Sequence, residues 1–159
     1  MRTHGCRSHA DGVVVASFGA ELPLPPAKHV AAVACTDARL DVHRILGLAE
    51  GAAHVIRDAG GVMTDDEIRS LTISQRLLGT KEIVLIHHTD FADDGFEAQI
   101  QADTGIKPGW AAEAFDDLDG DVRQSLARIA ASPFIPEQDS VRGFVFAVAT
   151  GALREVQPA

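Results

Sequence analysis

Two short stretches of this chain gather side chains that can do chemistry. The first is Cys35-Thr36-Asp37-Ala38-Arg39, which closes the apolar run HVAAVAC (residues 29–35). The second is His87-His88-Thr89-Asp90, which closes the apolar run EIVLIH (residues 82–87). A thiolate and an imidazole together make a zinc-type ligand set. An aspartate two residues from an arginine can form a charge-assisted pair that keeps the carboxylate ionised. Taken singly, each residue has a plainer meaning. A cysteine ending an apolar strand packs as a small hydrophobe, and an exposed Asp–Arg pair adds little stability. Strand alternation sends His87 and His88 to opposite faces, so at most one of them faces a given site.

Other candidates carry less. Arg57-Asp58-Ala59-Gly60-Gly61 suits a tight turn with close backbone approach, but it lacks the G-x-G-x-x-G spacing of a dinucleotide site. His4, Cys6 and His9 could ligate a metal, although a disordered leader is the plainer reading. Ser70, Ser74 and Ser125 fall in helical patterns without a nucleophile-elbow context.

The two chemical stretches must be positioned by the elements around them. Residues 29–35 are uniformly apolar, as in a strand buried on both faces. Residues 41–48 repeat apolar positions near helical spacing, with Gly51 as the stop. Residues 53–56 form a second short strand. Thr64-Asp65-Asp66-Glu67 is a capping box with acids in the first turn; its helix places Ile68, Leu71, Ile73, Leu77 and Leu78 inside and ends at Gly79. Residues 82–87 form a third strand. A short helix follows over 93–102, then a loop over 107–119, and an amphipathic helix over 121–131 with Val122, Leu126 and Ile129 on one face. A strand over 142–149 and a short return over 152–156 close the chain. Strands alternating with helices predict an α/β fold, a mainly parallel sheet with crossover helices on both faces. In such sheets, sites collect at the carboxyl ends of strands, where both chemical stretches lie.

Composition narrows the function. The chain has 159 residues, 46% of them hydrophobic, enough for one domain with a real core. Acidic residues outnumber Lys+Arg by 23 to 14, a formal charge of −9. That balance opposes binding to nucleic acid or anionic lipid, both of which need a basic face. Two cysteines make no disulfide framework and read as reduced thiols or metal ligands. No run approaches the roughly 20 apolar residues of a membrane span. The segment GVVVASFGA (residues 12–20) imitates a signal peptide but is short and lacks an A-x-A site. The expected location is the cytoplasm.

As a set, these stretches resemble the β-class carbonic anhydrases, in particular their short actinobacterial-type members. The resemblance runs from about Leu22 to Val156 through PLPPAKHVAAVACTDARLDVHRILGL, GAAHVIRDAGGVMTDDEIRSLTISQRLLGTKEIVLIHHTD, DVRQSLARI and RGFVFAVATGAL. It implies a single domain over 1–159, with residues 1–28 as an N-terminal arm crossing between the subunits of a homodimer. It implies reversible hydration of CO₂ to bicarbonate. The family holds zinc through a cysteine, a histidine and a second cysteine, and the metal lowers the pKa of a bound water towards roughly 7, giving the attacking hydroxide. The first cysteine maps to Cys35 and the histidine to His88. The family's catalytic aspartate–arginine dyad maps to Asp37 and Arg39.

The chain departs from the family at one decisive place. The family reads H-H-T-D-C-G, whereas here Asp90 runs directly into Phe91-Ala92-Asp93-Asp94. The second cysteine ligand and the residues after it are deleted. Three groups could replace it: Asp37, Asp90, or Cys6 from the same or a partner arm. Asp37 is preferred, because the family's closed form already places this aspartate on zinc. A neighbouring possibility is another small electrophile, COS or CS₂. The alternative is a metal-free, inactive domain binding bicarbonate, another small anion or a protein partner, with Arg39 and Arg57 lining an anion pocket.

Overall fold

A computed structural model describes residues 21–90, 95–109 and 117–158. The elements are β1 (Val30–Cys35), α1 (Val42–Leu46), β2 (Ala53–Asp58), α2 (Asp65–Leu78), β3 (Glu82–His88), α3 (Phe96–Thr104), α4 (Leu118–Ala131), β4 (Ser140–Ala147) and β5 (Ala152–Val156). They build one five-stranded sheet in the order β2-β1-β3-β4-β5. The first four strands are parallel and β5 returns antiparallel. This is the expected α/β fold with a mainly parallel sheet flanked by helices.

The alternation of small apolar residues explains the layering. Ala31 and Val33 of β1, with Ile83 and Leu85 of β3, face a core that includes Ile68 and Leu71 of α2 and Val122, Leu126 and Ile129 of α4. Ala32, Ala34 and Ile86 face the other way, onto Val42 of α1. Side chains therefore alternate between two covered faces, as a sheet buried on both sides requires. Gly143 lets α4 lie against β4: a Cβ there would stand 2.4 Å from Val122 Cγ1. Among the described residues, no helix is long and apolar enough to cross a membrane.

Several boundaries differ from the sequence reading. The α1 helix opens on Asp41, whose side chain accepts the Arg44 N–H, and it ends at Gly47 (φ +64°), before the expected Gly51. The α4 helix starts at Leu118 because the Asp117 side chain caps it through the Gly120 N–H, so the helix begins inside the stretch expected to be loop. The α3 helix spans Phe96–Thr104 rather than 93–102; residues 93 and 94, like 110–116 of the expected loop, lie outside the described residues. In α2 the capping box forms as expected and Gly79 ends the helix (φ +74°). Its buried face, however, is Glu67, Ile68, Leu71, Ser74 and Gln75, while Ile73 is 40% and Leu77 76% exposed. Specific bonds explain the rotation. The Ser74 hydroxyl meets His54 Nδ1 at 2.7 Å and Thr80 Oγ1 at 2.9 Å, and the Gln75 amide donates to the Glu137 carbonyl at 2.8 Å while its oxygen accepts the Glu137 N–H at 3.1 Å. Polar groups satisfied in this way can be buried without penalty.

The strand order places the site. From β1 the chain moves outward to β2, then crosses back to lay β3 on the other side of β1. The order reverses between β1 and β3, and a crevice opens beyond the carboxyl ends of two strands that flank such a switch point.

Candidate active site at the carboxyl ends of β1 and β3

Cys35 and His88 are the last residues of these neighbouring strands. Both are essentially buried, at 2% and 1% exposure. The Cys35 sulfur accepts the N–H groups of Asp37 at 3.4 Å and Gly60 at 3.3 Å. The turn after β2 supplies the second contact and packs tightly. Gly61 sits at φ +75°, and a Cβ there would stand 3.1 Å from both the Cys35 nitrogen and the Ile86 oxygen. His88 Nδ1 donates to the Thr89 carbonyl at 2.8 Å. In a neutral imidazole this leaves the lone pair on Nε2, the arrangement of a metal-ligating histidine. His87 points to the opposite face, with Nδ1 2.6 Å from Asp121 Oδ2 of α4, as alternation requires.

Asp37 and Arg39 form the expected pair in full. Arg39 donates its backbone N–H to Asp37 Oδ1 at 2.8 Å, Nε to both carboxylate oxygens at 3.0 Å, and Nη2 to Oδ2 at 2.6 Å. These bonds hold the Asp37 carboxyl well below the usual carboxylate range and push the Arg39 guanidinium above its ordinary value. Asp37 Oδ2 lies 3.9 Å from His88 Nδ1, on the imidazole edge that bonds the Thr89 carbonyl. Arg39 has a second carboxylate partner: Nη1 donates to Asp90 Oδ2 at 2.7 Å and Nη2 to the Asp90 carbonyl at 3.4 Å. Asp90 takes φ +72°, a left-handed conformation that aspartate tolerates better than most residues.

Arg57 is not half of an anion pocket. Its Nε donates to the Cys35 carbonyl at 2.5 Å, Nη1 to Leu40 at 3.0 Å and Nη2 to Asp37 at 2.8 Å. All three guanidinium nitrogens are spent on the loop that carries Asp37 and Arg39. The sequence reading missed this strap, as it missed the Arg39–Asp90 tie and a carboxyl pair behind the turn. Burial, and next the Glu67 carboxylate, push the Asp58 carboxyl up to about 7. The capping box identified Glu67, but nothing local told that it would face Asp58. Cys6, with His4 and His9, lies outside the described residues.

The fit to a metal rests on donor chemistry. Cys35 and His88 supply two donors of the zinc type, a sulfur and a nitrogen. Asp37 is the carboxylate beside them, and Arg39 holds it. Among the described residues, no three His, Cys, Asp or Glu side chains stand together as they would around a metal ion. Two donors do not complete a zinc site, and Asp37 is bound to Arg39 rather than placed as a third, so the described residues as they stand do not fit the ion.

Fold and site define an α/β protein with a thiol, an imidazole and an Asp–Arg pair gathered at the switch point of a mainly parallel sheet. Relatives place it further. Beta-carbonic anhydrase 1 of Mycobacterium tuberculosis is 61% identical over 89% of this chain and 90% of its own length. A carbon disulfide hydrolase of Acidithiobacillus thiooxidans is 30% identical over 84% of this chain and 80% of its own length. Among solved structures, a carbonic anhydrase from Streptococcus mutans superposes with a TM-score of 0.77 at 44% identity, covering 87% of each chain. No family model matches the chain. The chain belongs to the β-carbonic anhydrase family, which is zinc-dependent.

Proposed function

We propose that this chain is a zinc-dependent lyase interconverting CO₂ and bicarbonate. The observation that carries the reading is the gathering of Cys35, His88 and the Asp37–Arg39 pair at one switch point, in a chain of this family. Zinc, when bound, supplies the Lewis acidity that makes a nucleophile from water near neutral pH. Cys35 and His88 would supply two of its donors, while Asp37 stays on Arg39 as the hydrogen-bond acceptor. The chain's own groups do the rest. Asp37, kept ionised by Arg39, can only accept hydrogen bonds, so it orients any O–H beside Oδ2 and leaves the lone pairs of that oxygen directed at substrate. Arg39 holds this carboxylate and fixes its aim. Arg57 clamps the loop backbone, so the dyad is preorganised before substrate arrives. The 61% identity to a carbonic anhydrase against 30% to a carbon disulfide hydrolase supports CO₂ rather than CS₂ as substrate.

The same reading extends to organisation. Residues 1–159 form a single domain, with 1–28 as an arm that crosses to the other subunit of a homodimer in the cytoplasm. The test is stopped-flow CO₂ hydration with added zinc, comparing the native chain with Cys35→Ser. Activity that rises with zinc and is lost in the variant supports the reading. A native chain inactive at saturating zinc overturns it.

A further inference from the structure

The sheet is paired unevenly at its carboxyl edge. The β1–β3 ladder runs from Val30–Glu82 to Ala34–Ile86 and stops there, whereas the β3–β4 ladder continues to His88–Phe146. Thr89 extends that side: its N–H donates to the Phe146 carbonyl at 3.1 Å, and its hydroxyl accepts the Val148 N–H at 3.1 Å. On the other side, β1 pairs with β2 as far as Cys35–Asp58. The Thr36 N–H then reaches the Asp58 carbonyl at 2.7 Å, and Arg57 of β2 holds three carbonyls of the loop that follows β1. Each half of the sheet is thus tied at this edge to its own outer strand. The two halves part between β1 and β3.

Side chains span the gap. Arg39 comes from the loop after β1, and Asp90 stands two residues beyond the end of β3. Arg39 Nη1 donates to Asp90 Oδ2 at 2.7 Å and Nη2 to the Asp90 carbonyl at 3.4 Å, while Nε and Nη2 hold the Asp37 carboxylate. At φ +72°, Asp90 presents its carboxylate and its carbonyl to one guanidinium. A bound metal joins strand ends through its ligands. Among the described residues no three ligand-type side chains stand together here, and a guanidinium with a carboxylate on either side makes the crossing instead.

We propose that Asp37, Arg39 and Asp90 form a metal-independent clasp that closes the gap between the two halves of the sheet and fixes the spacing of its strand ends. No ion takes part in it. A planar fork bonded to two carboxylates has a defined geometry that a single flexible pair lacks. The side chains of Arg39 and Asp90 are 47% and 74% exposed, so the clasp adds little to global stability. Its effect is local, on the opening of residues 36–40, a surface loop that can open without unfolding the core. The inference goes beyond the lyase reading and does not depend on it.

The test is amide hydrogen exchange on the full chain, native and chelator-treated, read by NMR. The reporters are the Arg39 and Leu40 N–H groups, which bond Asp37 Oδ1 and the Asp37 carbonyl; Val33 and Leu85 of the core are the controls. Chelator should leave the native rates unchanged. Asp90→Asn should speed exchange at both reporters roughly threefold to tenfold, the scale of one charge-assisted contact that solvent partly screens. The controls and thermal unfolding should stay close to native, and Asp90→Glu should recover part of the loss. Arg39→Gln should speed exchange at Leu40 at least as much, and Asp90→Asn added to it should change nothing further, since both remove the same contact. Native rates at the reporters in Asp90→Asn overturn the clasp, as does equal acceleration of the controls. Chelator alone bringing the native chain to the Asp90→Asn rates assigns the tie to a metal and overturns it as well.

Discussion

The Arg57 guanidinium lies across the loop that follows β1, its Nη2 2.8 Å from the Asp37 carbonyl. Two further bonds, to the carbonyls of Cys35 and Leu40, spread one side chain over the whole dyad loop. A planar fork can do this and an ammonium cannot. Arg57→Ala is expected to cost about 1–2 kcal/mol of stability, since the three carbonyls can turn partly to water. At about 2–4 °C per kcal/mol for a chain of this size, Tm falls by roughly 2–8 °C. Catalytic rate should fall further than stability implies, because the dyad loses its aim. Arg57→Lys should recover less than half of the rate, measured as kcat/KM beside Tm.

The Asp58 carboxyl makes stability depend on pH. Burial, and then Glu67, raise it from the ordinary 3.8 to about 7. The folded chain therefore holds a proton that the unfolded chain has already released between these values. Stability is full below about pH 4, declines as pH rises, and is lowest above pH 7. Three pKa units correspond to about 4 kcal/mol, reduced to about 2 because solvent still reaches part of the group. Asp58→Asn should flatten this slope, leaving Tm unchanged near pH 4 and raising it near pH 8. An equal shift at both values would contradict the assignment.

Gly61, in the turn after β2, packs against the backbones of β1 and β3. Its φ of +75° already disfavours a side chain, and a Cβ would press on the Cys35 nitrogen and Ile86 oxygen at 3.1 Å. Gly61→Ala is expected to cost about 2–4 kcal/mol in denaturant unfolding, summing the left-handed penalty and the overpacking. Gly105→Ala, also at positive φ but with open space around it, should cost only about 1–2 kcal/mol.

Most of the fold was legible because its signals are local. The capping box at Thr64, the buried runs of β1 and β3, and the apolar face of α4 each follow from residues a few positions apart. The placement of the candidate residues was legible to the same extent. Cys35, Asp37, Arg39 and His88 stand at strand ends, and topology brings strand ends together. What escaped was long-range. Ile73 and Leu77 follow helical periodicity, yet the buried face of α2 runs through Ser74 and Gln75, whose partners His54 and Glu137 lie 20 and 62 residues away. Arg57 looked like an anion ligand because an arginine after a strand carries no mark of the carbonyls it will meet. The tie from Arg39 to Asp90 spans 51 residues, and no pattern within either stretch encodes it.

The proposed homodimer has a direct check. Light scattering on the full chain should return twice the 16.8 kDa chain mass, and removal of residues 1–28 should shift the equilibrium towards one chain. A monomer at micromolar concentration would contradict the arm's crossing role.

The central claim is that this chain still holds zinc without the second cysteine. Elemental analysis of protein purified without chelator or histidine tag tests it most directly. The account predicts about one zinc per chain, lost in Cys35→Ser and in His88→Ala while both variants stay folded. No zinc in the native chain, even after incubation with excess metal, would contradict it.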